Sequence, residues 1–435
     1  EFQDLSLDLE KLNKEYREII LNNNVGLAQN KEVIKLKNKI NKFRKDNNIP
    51  SGFASLNQKT LQSQINDEKV IVKFVSDDFY FYCILISKNN IIPIKYTKEI
   101  SYYKSLFDEI NLEKQNFDFK LFKDHSHKVY NEVFLPIKKY VKDKNELSFI
   151  LDDFMFDLPP QVWVAKKTKN LFNSTPLYLV EKNIITITPS LSILNKENKL
   201  NKNFNFKFVG VGYPSQKDGK EKIIQKVHAS YASRGLKINE DKIISTFAPL
   251  PNTKVELEYF SKKLSPLGKT KLMISDDATE FKIKNLSALS QAEIISFSTH
   301  ALINNELNND NEPSLILTPD YQNDGFLTSS EIMYLKINAR LVILSACNTA
   351  SGFDNSSLGL TGLVNSFFYS GAEKVLATSW KVNDKSTMIF NKYFADNIIY
   401  KSDIKKSMNS AIIRMINDSD YSNPHFWAAF SLISK

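Results

Sequence analysis

The sequence predicts an α/β protein in which helices cover both faces of a mostly parallel sheet, giving three layers. Beyond about residue 250, short and continuously apolar runs such as Glu293–Thr299 and Arg340–Ser345 alternate with helical segments. Strands that are apolar throughout are typical of parallel sheets buried between helices. The chain has 435 residues, 42% of them hydrophobic, so it is long enough to bury one large unit with additions around it.

Residues 1–60 predict helices that precede this unit. Leu and Ile recur at helical spacing over residues 4–47 among many Lys, Glu and Asn residues, and Gly and Pro are almost absent before Pro50. Within this segment, Lys31–Lys45 is a Lys-rich stripe, which is either a solvated helix face or a docking surface for a partner. Because the chain does not begin with Met, we expect these helices to join an upstream helical sensor region.

Residues 61–250 predict strands and helices that carry no pair of catalytic residues. Two runs rich in β-branched and aromatic residues, Val70–Val75 and Phe79–Ile86, flank a polar turn and predict a hairpin. The other elements predicted here are helices over residues 100–145 and strands at Leu147–Leu151 and Lys207–Pro214.

Residues 251–435 predict the regular alternation of strand and helix that forms the main sheet. Besides the two runs named above, the predicted elements are helices at Val255–Leu264, Thr279–Leu286, Ser329–Leu335 and Gly359–Tyr369, strands at Leu272–Ile274 and Lys374–Ser379, and two helices across 385–416. In such a sheet, ligands bind at the carboxyl ends of the strands.

Composition excludes several functional classes. The net charge of +9, from 58 basic and 49 acidic residues, is a mild excess for this length, and Lys strongly outnumbers Arg, so direct nucleic-acid binding is not expected. Cys83 and Cys347 lie far apart and form no metal-spaced pair; we expect a reducing, cytoplasmic setting and a packing role for Cys83. No run of about 18 apolar residues predicts a membrane span.

One His and one Cys follow neighbouring predicted strands. His300 comes directly after Glu293–Thr299, and Cys347 comes two residues after Ser345. A thiolate is strongly nucleophilic, and an imidazole beside it can raise the thiolate fraction or protonate a leaving amine. Each residue alone would more often be a buried or hydrogen-bonded structural residue. No motif for a nucleotide, a metalloprotease zinc or a serine nucleophile elbow occurs, so neither a metal nor another cofactor is expected.

Four ordered blocks of the sequence resemble the CHAT family of caspase- and separase-like cysteine peptidases. The blocks are Ile295–Ala301, Leu341–Thr349, Gly371–Asp384 and Asn423–Phe430, the last of which resembles the closing strand of the family, and weaker similarity extends back through Leu177–Leu194 to the hairpin. The resemblance implies a caspase-like catalytic half at 251–435, preceded by a degenerate, non-catalytic half at 61–250 that extends its sheet.

The resemblance assigns roles to individual residues. It makes Cys347 the nucleophile and His300 the acid/base, with the backbone N–H groups of Cys347 and Ala301 as oxyanion donors. In the family, Gly commonly follows the His, and Gly is also common where this chain has Ala350. An alanine at position 301 keeps its N–H but is disfavoured at positive φ.

The block that ends at Asp384 is expected to form part of the substrate crevice. In separase-like relatives an acid in this block helps to recognise a basic side chain before the scissile bond, so Asp384 could pair with Lys or Arg. Asp384 could equally cap the helix beginning near Lys385, and Trp380 could either line the pocket or pack in the core. The polar loops Asn304–Pro313 and Ser351–Ser357 are either surface insertions or a gate.

Two functions remain in competition at this point. The resemblance implies a regulated cysteine endopeptidase that cuts a specific intracellular protein, in bacterial defence or cell-death signalling, under the control of an upstream sensor or activating protein. The alternative is a catalytically silent module that keeps the fold and holds a protein partner.

Overall fold

The computed structural model describes residues 58–108, 118–156, 158–169, 175–195, 203–214, 250–302, 313–321, 323–345, 362–380, 382–401 and 403–435. The helices expected within 4–47, the residues Cys347 and Ala350, and the two polar loops apart from Pro313 lie outside these residues. The chain divides into two compact units, Glu1–Gln58 and Lys59–Lys435, and nearly all described residues belong to the second.

The strands of the described residues alternate with helices along the chain. The strands are β1 (Lys69–Ser76), β2 (Tyr80–Ile86), β3 (Ile91–Glu99), β4 (Glu146–Ile150), β5 (Val164–Lys166), β6 (Leu177–Tyr178), β7 (Ile184–Ile187), β8 (Phe206–Pro214), β9 (Thr270–Ser275), β10 (Ala292–Ser298), β11 (Ala301–Leu302), β12 (Ser314–Ile316), β13 (Phe326–Thr328), β14 (Leu341–Leu344), β15 (Lys374–Thr378) and β16 (Phe430–Ser434). The helices are α1 (Gln58–Ser63), α2 (Ile100–Asp108), α3 (Phe119–Val129), α4 (Leu135–Val141), α5 (Pro251–Leu264), α6 (Glu280–Lys284), α7 (Ser329–Tyr334), α8 (Gly362–Ser370), α9 (Asp384–Lys401), α10 (Ile404–Ile416) and α11 (Pro424–Trp427).

Eleven of the described strands form one sheet in the order β3-β2-β1-β4-β7-β16-β15-β14-β10-β8-β9. Seven of its ten neighbouring pairs are parallel; the exceptions are β1–β2, β2–β3 and β15–β16. The predicted hairpin is therefore confirmed as β1–β2, and the predicted mostly parallel sheet is confirmed.

Alternate residues of β10 show that helices cover both faces of this sheet. The Phe297 ring packs against Phe367 of α8 with ring centroids 5.2 Å apart, whereas the next residue, Ser298, donates a hydrogen bond to Glu256 of α5. Because successive side chains of a strand point to opposite faces, α8 and α5 lie on opposite sides. The three-layer arrangement predicted from the sequence is confirmed.

Two details of the predicted layout are corrected by the structure. The block Asn423–Phe430 is not a strand. Asn423 accepts the His425 N–H and caps the short helix α11, which Pro424 begins, since Pro is favoured in the first turn of a helix, and the closing strand β16 starts only at Phe430. In addition, β8 from the 61–250 segment lies between β9 and β10 of the C-terminal segment.

A second, three-stranded antiparallel sheet follows the end of β10. It contains β11, β12 and β13, strands of only two or three residues that carry no readable periodicity in the sequence. In the described part of the chain, no helix is both long enough and apolar enough to cross a membrane.

Candidate active site

The strands that precede the two candidate catalytic residues are hydrogen-bonded neighbours. In the parallel pair β10–β14, Ile294 lies opposite Leu341 and Phe297 lies opposite Leu344, and the Ser345 N–H donates to the Phe297 carbonyl at 2.9 Å. Each partner differs from the other by 47 in residue number. His300 and Cys347 are separated by the same 47 residues, so they follow β10 and β14 in register. Cys347 itself lies outside the described residues.

His300 is partly buried, and its backbone is held at the junction of the two sheets. Its carbonyl accepts the Ile316 N–H of β12 at 2.9 Å, and the hydroxyl of the preceding Thr299 donates to the Ile316 carbonyl. These bonds fix the backbone on which the imidazole stands.

Ala301 occupies an extended position from which its N–H is directed away from β12. It lies opposite Leu315 in β11–β12, and the bond from Ile316 to His300 makes Ala301–Leu315 a pair that exchanges no hydrogen bonds of its own. The non-glycine residues at positive φ in the described chain are Tyr213 and Ser275, so Ala301 is not among them. An alanine therefore fits here without the backbone strain that its replacement of Gly raised.

A buried carboxyl group, which the sequence analysis did not single out, joins the ends of β10 and β14. The Glu256 side chain of α5 is 2% exposed. Its Oε1 accepts the Ser298 hydroxyl at 2.7 Å, and its Oε2 accepts the Ser345 hydroxyl at 2.8 Å. Ser298 and Ser345 each lie two residues before a candidate catalytic residue. The group is thus attached to both strands at the edge where the site is expected.

Burial governs the charge state of Glu256. Loss of hydration raises the pKa of this carboxyl group to about 7, opposed by hydrogen bonds from Ser298, Ser345 and Asn391 and assisted by the negative charge of Asp384. A sequence signal did exist, because Glu256 shares the i, i+4, i+8 stripe of α5 with the fully buried Phe260 and Leu264. An acidic residue in the middle of a buried stripe indicates a specific role.

Asp384 begins α9 and is held by the first turn of α5. Its Oδ2 accepts hydrogen bonds from the Asn252 side-chain amide at 2.7 Å and from the Asn252 N–H at 3.3 Å. The capping oxygen of α9 comes from Asn383, which accepts the Lys385 N–H at 2.9 Å. The cap considered for Asp384 is therefore one residue off, and its carboxylate is half-buried at the N-terminal end of the helix.

Trp380 is 2% exposed, and its indole N–H donates to the His425 carbonyl at 3.0 Å. This is the packing role that the sequence left open, and the role in substrate binding stays a prediction. Cys83 is fully buried in β2, and desolvation raises the pKa of its thiol well above the ordinary value. His125 and His127 each face a backbone carbonyl, of Leu106 and Val164, and the described residues contain no group of three or more potential metal ligands.

Comparison with known proteins identifies a family over most of the chain. The CHAT domain model matches residues 123–435. A curated relative, mouse (Mus musculus) tetratricopeptide repeat protein 28, is 25% identical over 225 residues, which are 43% of this chain and 9% of the mouse protein. This chain thus spans less than a tenth of that relative.

Two solved structures are similar in part. One is the Arg-specific cysteine proteinase gingipain R (RgpB) of Porphyromonas gingivalis, with a TM-score of 0.39 and 8% identity over 74% of this chain and 68% of that chain. The other is the separase–securin complex of Saccharomyces cerevisiae, with a TM-score of 0.40 and 12% identity over 100% of this chain and 27% of that chain.

Proposed function

The chain belongs to the CHAT domain family, and on that premise we propose that it is a cysteine endopeptidase with Cys347 as the nucleophile and His300 as the acid/base. The observation that supports the proposal most directly is the β10–β14 register, in which paired residues have the same separation as His300 and Cys347. Two side chains that follow adjacent parallel strands at equal offsets leave the same edge of the sheet.

The proposed reaction has two acyl-transfer steps. The Cys347 sulfur attacks the peptide carbonyl carbon, and the oxyanion that forms accepts hydrogen bonds from the N–H groups of Cys347 and Ala301. The amine leaves with a proton from His300, and a thioester remains. Water then loses a proton to His300 and attacks the thioester, which releases the carboxylate and restores the thiol. The direction of the Ala301 N–H, away from β12, supports its use as a donor.

A preference for a basic residue before the scissile bond is part of the proposal. The Asp384 carboxylate lies at the start of α9, and its described hydrogen bonds come from Asn252 alone, without a basic partner. A Lys or Arg side chain of a substrate would supply the missing positive charge.

We further propose that cleavage is limited to a specific intracellular protein and awaits an activating partner or upstream sensor, in bacterial defence or cell-death signalling. The mouse relative is a tetratricopeptide repeat protein, which supports a helical repeat region as the sensor. An unregulated peptidase would damage its own cell, and this gives regulation its rationale.

Proteome-wide mapping of new amino termini tests the proposal. Lysate treated with the protein is compared with lysate treated with the Cys347→Ala variant, with and without candidate activators. We expect cuts that depend on Cys347 and that follow Lys or Arg. Identical termini in both samples under every condition would contradict the peptidase and leave a silent binding module. Full activity of the isolated chain would contradict activation by a partner.

A further inference from the structure

We propose that Glu256 is a positioning residue for the reaction of Cys347 and His300: its carboxylate fastens the end of β10 to the end of β14 and thereby sets the separation of the groups that follow. This inference rests on the proposed peptidase function. It adds a residue on a third element, α5, that acts on the reaction through Ser298 and Ser345 and touches no substrate.

The geometry of one carboxyl group carries the inference. Its two oxygens are held at a fixed distance by the covalent group, and each accepts the hydroxyl of one strand, at 2.7 Å from Ser298 and 2.8 Å from Ser345. The backbone ladder joins the same strands by the bond from Ser345 to Phe297. The side-chain bridge is the second attachment at the same level, and it lies nearer to the strand ends than any other described side-chain contact between β10 and β14.

The hydrogen-bond directions show that the network is arranged to feed an acceptor. Ser298 gives its only proton to Glu256, so in the 3.1 Å contact between the two serines of β10, Ser296 must be the donor. On the other side, the Asn391 amide of α9 donates to the Ser345 oxygen at 3.1 Å, while Ser345 donates to Glu256. Both chains of donors end on the carboxylate, and such chains strengthen each bond within them.

Glu256 is held without a compensating cation in the described residues. The groups facing it are Ser296 and Ser298 of β10, Ser345 of β14, and Asn391 and Asp384 of α9, of which Asp384 is the charged one and is negative. A buried charge of this kind opposes folding. A glutamine of the same shape would avoid that cost, which argues that the carboxylate serves the site and not the stability of the fold.

The same helix also contacts the candidate substrate residue. Asn252, one turn before Glu256 on α5, donates to Asp384. One rigid element therefore contacts the His300 strand, the Cys347 strand and the start of α9, so a disturbance at Glu256 reaches the reacting groups while the contact to Asp384 stays in place.

The test compares Glu256→Gln with Glu258→Gln, a matched control on the exposed face of the same helix, where Glu258 is paired only with Lys254. For each protein we measure kcat and KM on a peptide substrate, the thermal midpoint, and the rate at which iodoacetamide alkylates Cys347 from pH 5 to 9, with the label located by peptide mass spectrometry. We expect Glu256→Gln to lower kcat at least tenfold with KM within twofold, at an equal or higher thermal midpoint. Its alkylation profile should lack the inflection near pH 7 that the wild type and Glu258→Gln show.

Single and paired serine variants supply the second test, also if Glu256→Gln does not fold. Ser298→Ala and Ser345→Ala should each lower kcat about three- to tenfold, and because each already frees one strand from the bridge, the double variant should lose little more than the worse single one.

The outcomes separate the two proposals. Wild type that cuts no peptide, with Cys347 alkylated no faster than a free cysteine, overturns the peptidase and this inference together. An active wild type whose Glu256→Gln variant matches Glu258→Gln in kcat and in pH profile, or serine effects that simply multiply, overturns the positioning role alone.

Discussion

The Ser345 N–H donates to the Phe297 carbonyl at 2.9 Å, and this bond is the last described link between the strands that lead to Cys347 and His300. It aligns the two strand ends through the backbone ladder, whose spacing varies little among parallel sheets. The relative placement of the candidate catalytic residues is thus set by the sheet and needs no contribution from the polar loops.

The two cysteines should differ strongly in reactivity. Cys83 is fully buried and burial raises the pKa of its thiol, so it should resist alkylation in the folded protein. Cys347 should react with a peptidyl electrophile, and His300→Ala should slow that reaction about 10- to 100-fold. Mass spectrometry of labelled peptides measures both rates, and denatured protein provides the control in which both cysteines react. Similar labelling of the two cysteines in the native protein would contradict a catalytic Cys347.

Much of this layout could be predicted from the sequence because it depends on long apolar runs. β10, β14 and β15 are buried on both faces, and each produces four or more consecutive apolar or small residues. β11 and β12 could not be predicted, since their two or three residues acquire strand geometry only by pairing with each other. Asn423 and Pro424 were misjudged because the similarity to a closing strand outweighed the local signal for a helix start.

The stability of the protein should fall with rising pH through the ionisation of Glu256, and Glu256→Gln should abolish that part of the fall. In the unfolded chain this group ionises near 4.5, and in the folded protein near 7. Below the lower value both states are protonated. Above the higher value both are ionised, and the folded state carries the whole cost of the buried charge. A shift of this size corresponds to about 3 kcal/mol.

Urea unfolding at pH 4.5 and pH 8 measures this contribution. We expect Glu256→Gln to be more stable than the wild type at pH 8 by up to about 3 kcal/mol, and the difference to shrink at pH 4.5. Glu280, whose pKa burial also raises to about 7, adds its own slope in both proteins, so the difference between them isolates Glu256. Glu258→Gln should leave the pH dependence unchanged. A Glu256→Gln variant less stable than the wild type at pH 8 would show that the carboxylate stabilises the fold.

Gly212 should be intolerant of a side chain because β8 passes very close to the end of β10. A Cβ at this position would lie 2.0 Å from the Ser298 carbonyl oxygen, a backbone atom that cannot rotate away. Gly212→Ala should therefore displace the strand end before His300, lower the free energy of unfolding by about 1–3 kcal/mol or more, and reduce peptide cleavage.

Gly362→Ala is the matched control for Gly212→Ala. Its nearest neighbour would be the Ser329 hydroxyl at 3.4 Å, and Gly362 is the first residue of α8. Alanine is a better helix former than glycine, so stability should be unchanged or rise by up to about 1 kcal/mol. Denaturation and a cleavage assay on both variants check the pair, and equal effects would indicate that β8 shifts freely.

The functional residues divide by the kind of signal that they leave in a sequence. His300 and Cys347 could be identified because they follow recognisable strands. Glu256 could not be assigned a partner from the sequence, since the contact joins α5 to serines 42 and 89 residues away. The fit of Ala301 depends on the ladder type at one residue pair, which only the paired strands reveal.

Asp384→Asn should change the preference for the residue before the scissile bond without destabilising the protein. Asparagine keeps an oxygen that can accept the Asn252 amide but removes the charge that a Lys or Arg would pair with. We expect kcat/KM to fall about 10- to 100-fold for peptides with Lys or Arg at that position and less than twofold for peptides with a neutral residue, a difference of about 1.4–3 kcal/mol. Kinetics on matched peptide pairs measures it, and an equal loss on both peptides would remove the charge-recognition role.

Trp380→Phe separates the two roles that the sequence left open for this residue. The indole N–H donates to the His425 carbonyl in a buried position, and phenylalanine offers no donor to replace it. Loss of a buried hydrogen bond and part of the ring should lower the free energy of unfolding by about 1–3 kcal/mol. If the ring packs only in the core, KM for a peptide substrate should stay within twofold of the wild type. Unchanged stability with a KM raised fivefold or more would instead place Trp380 in the wall of the substrate crevice, because a ring that contacts substrate affects binding more than folding.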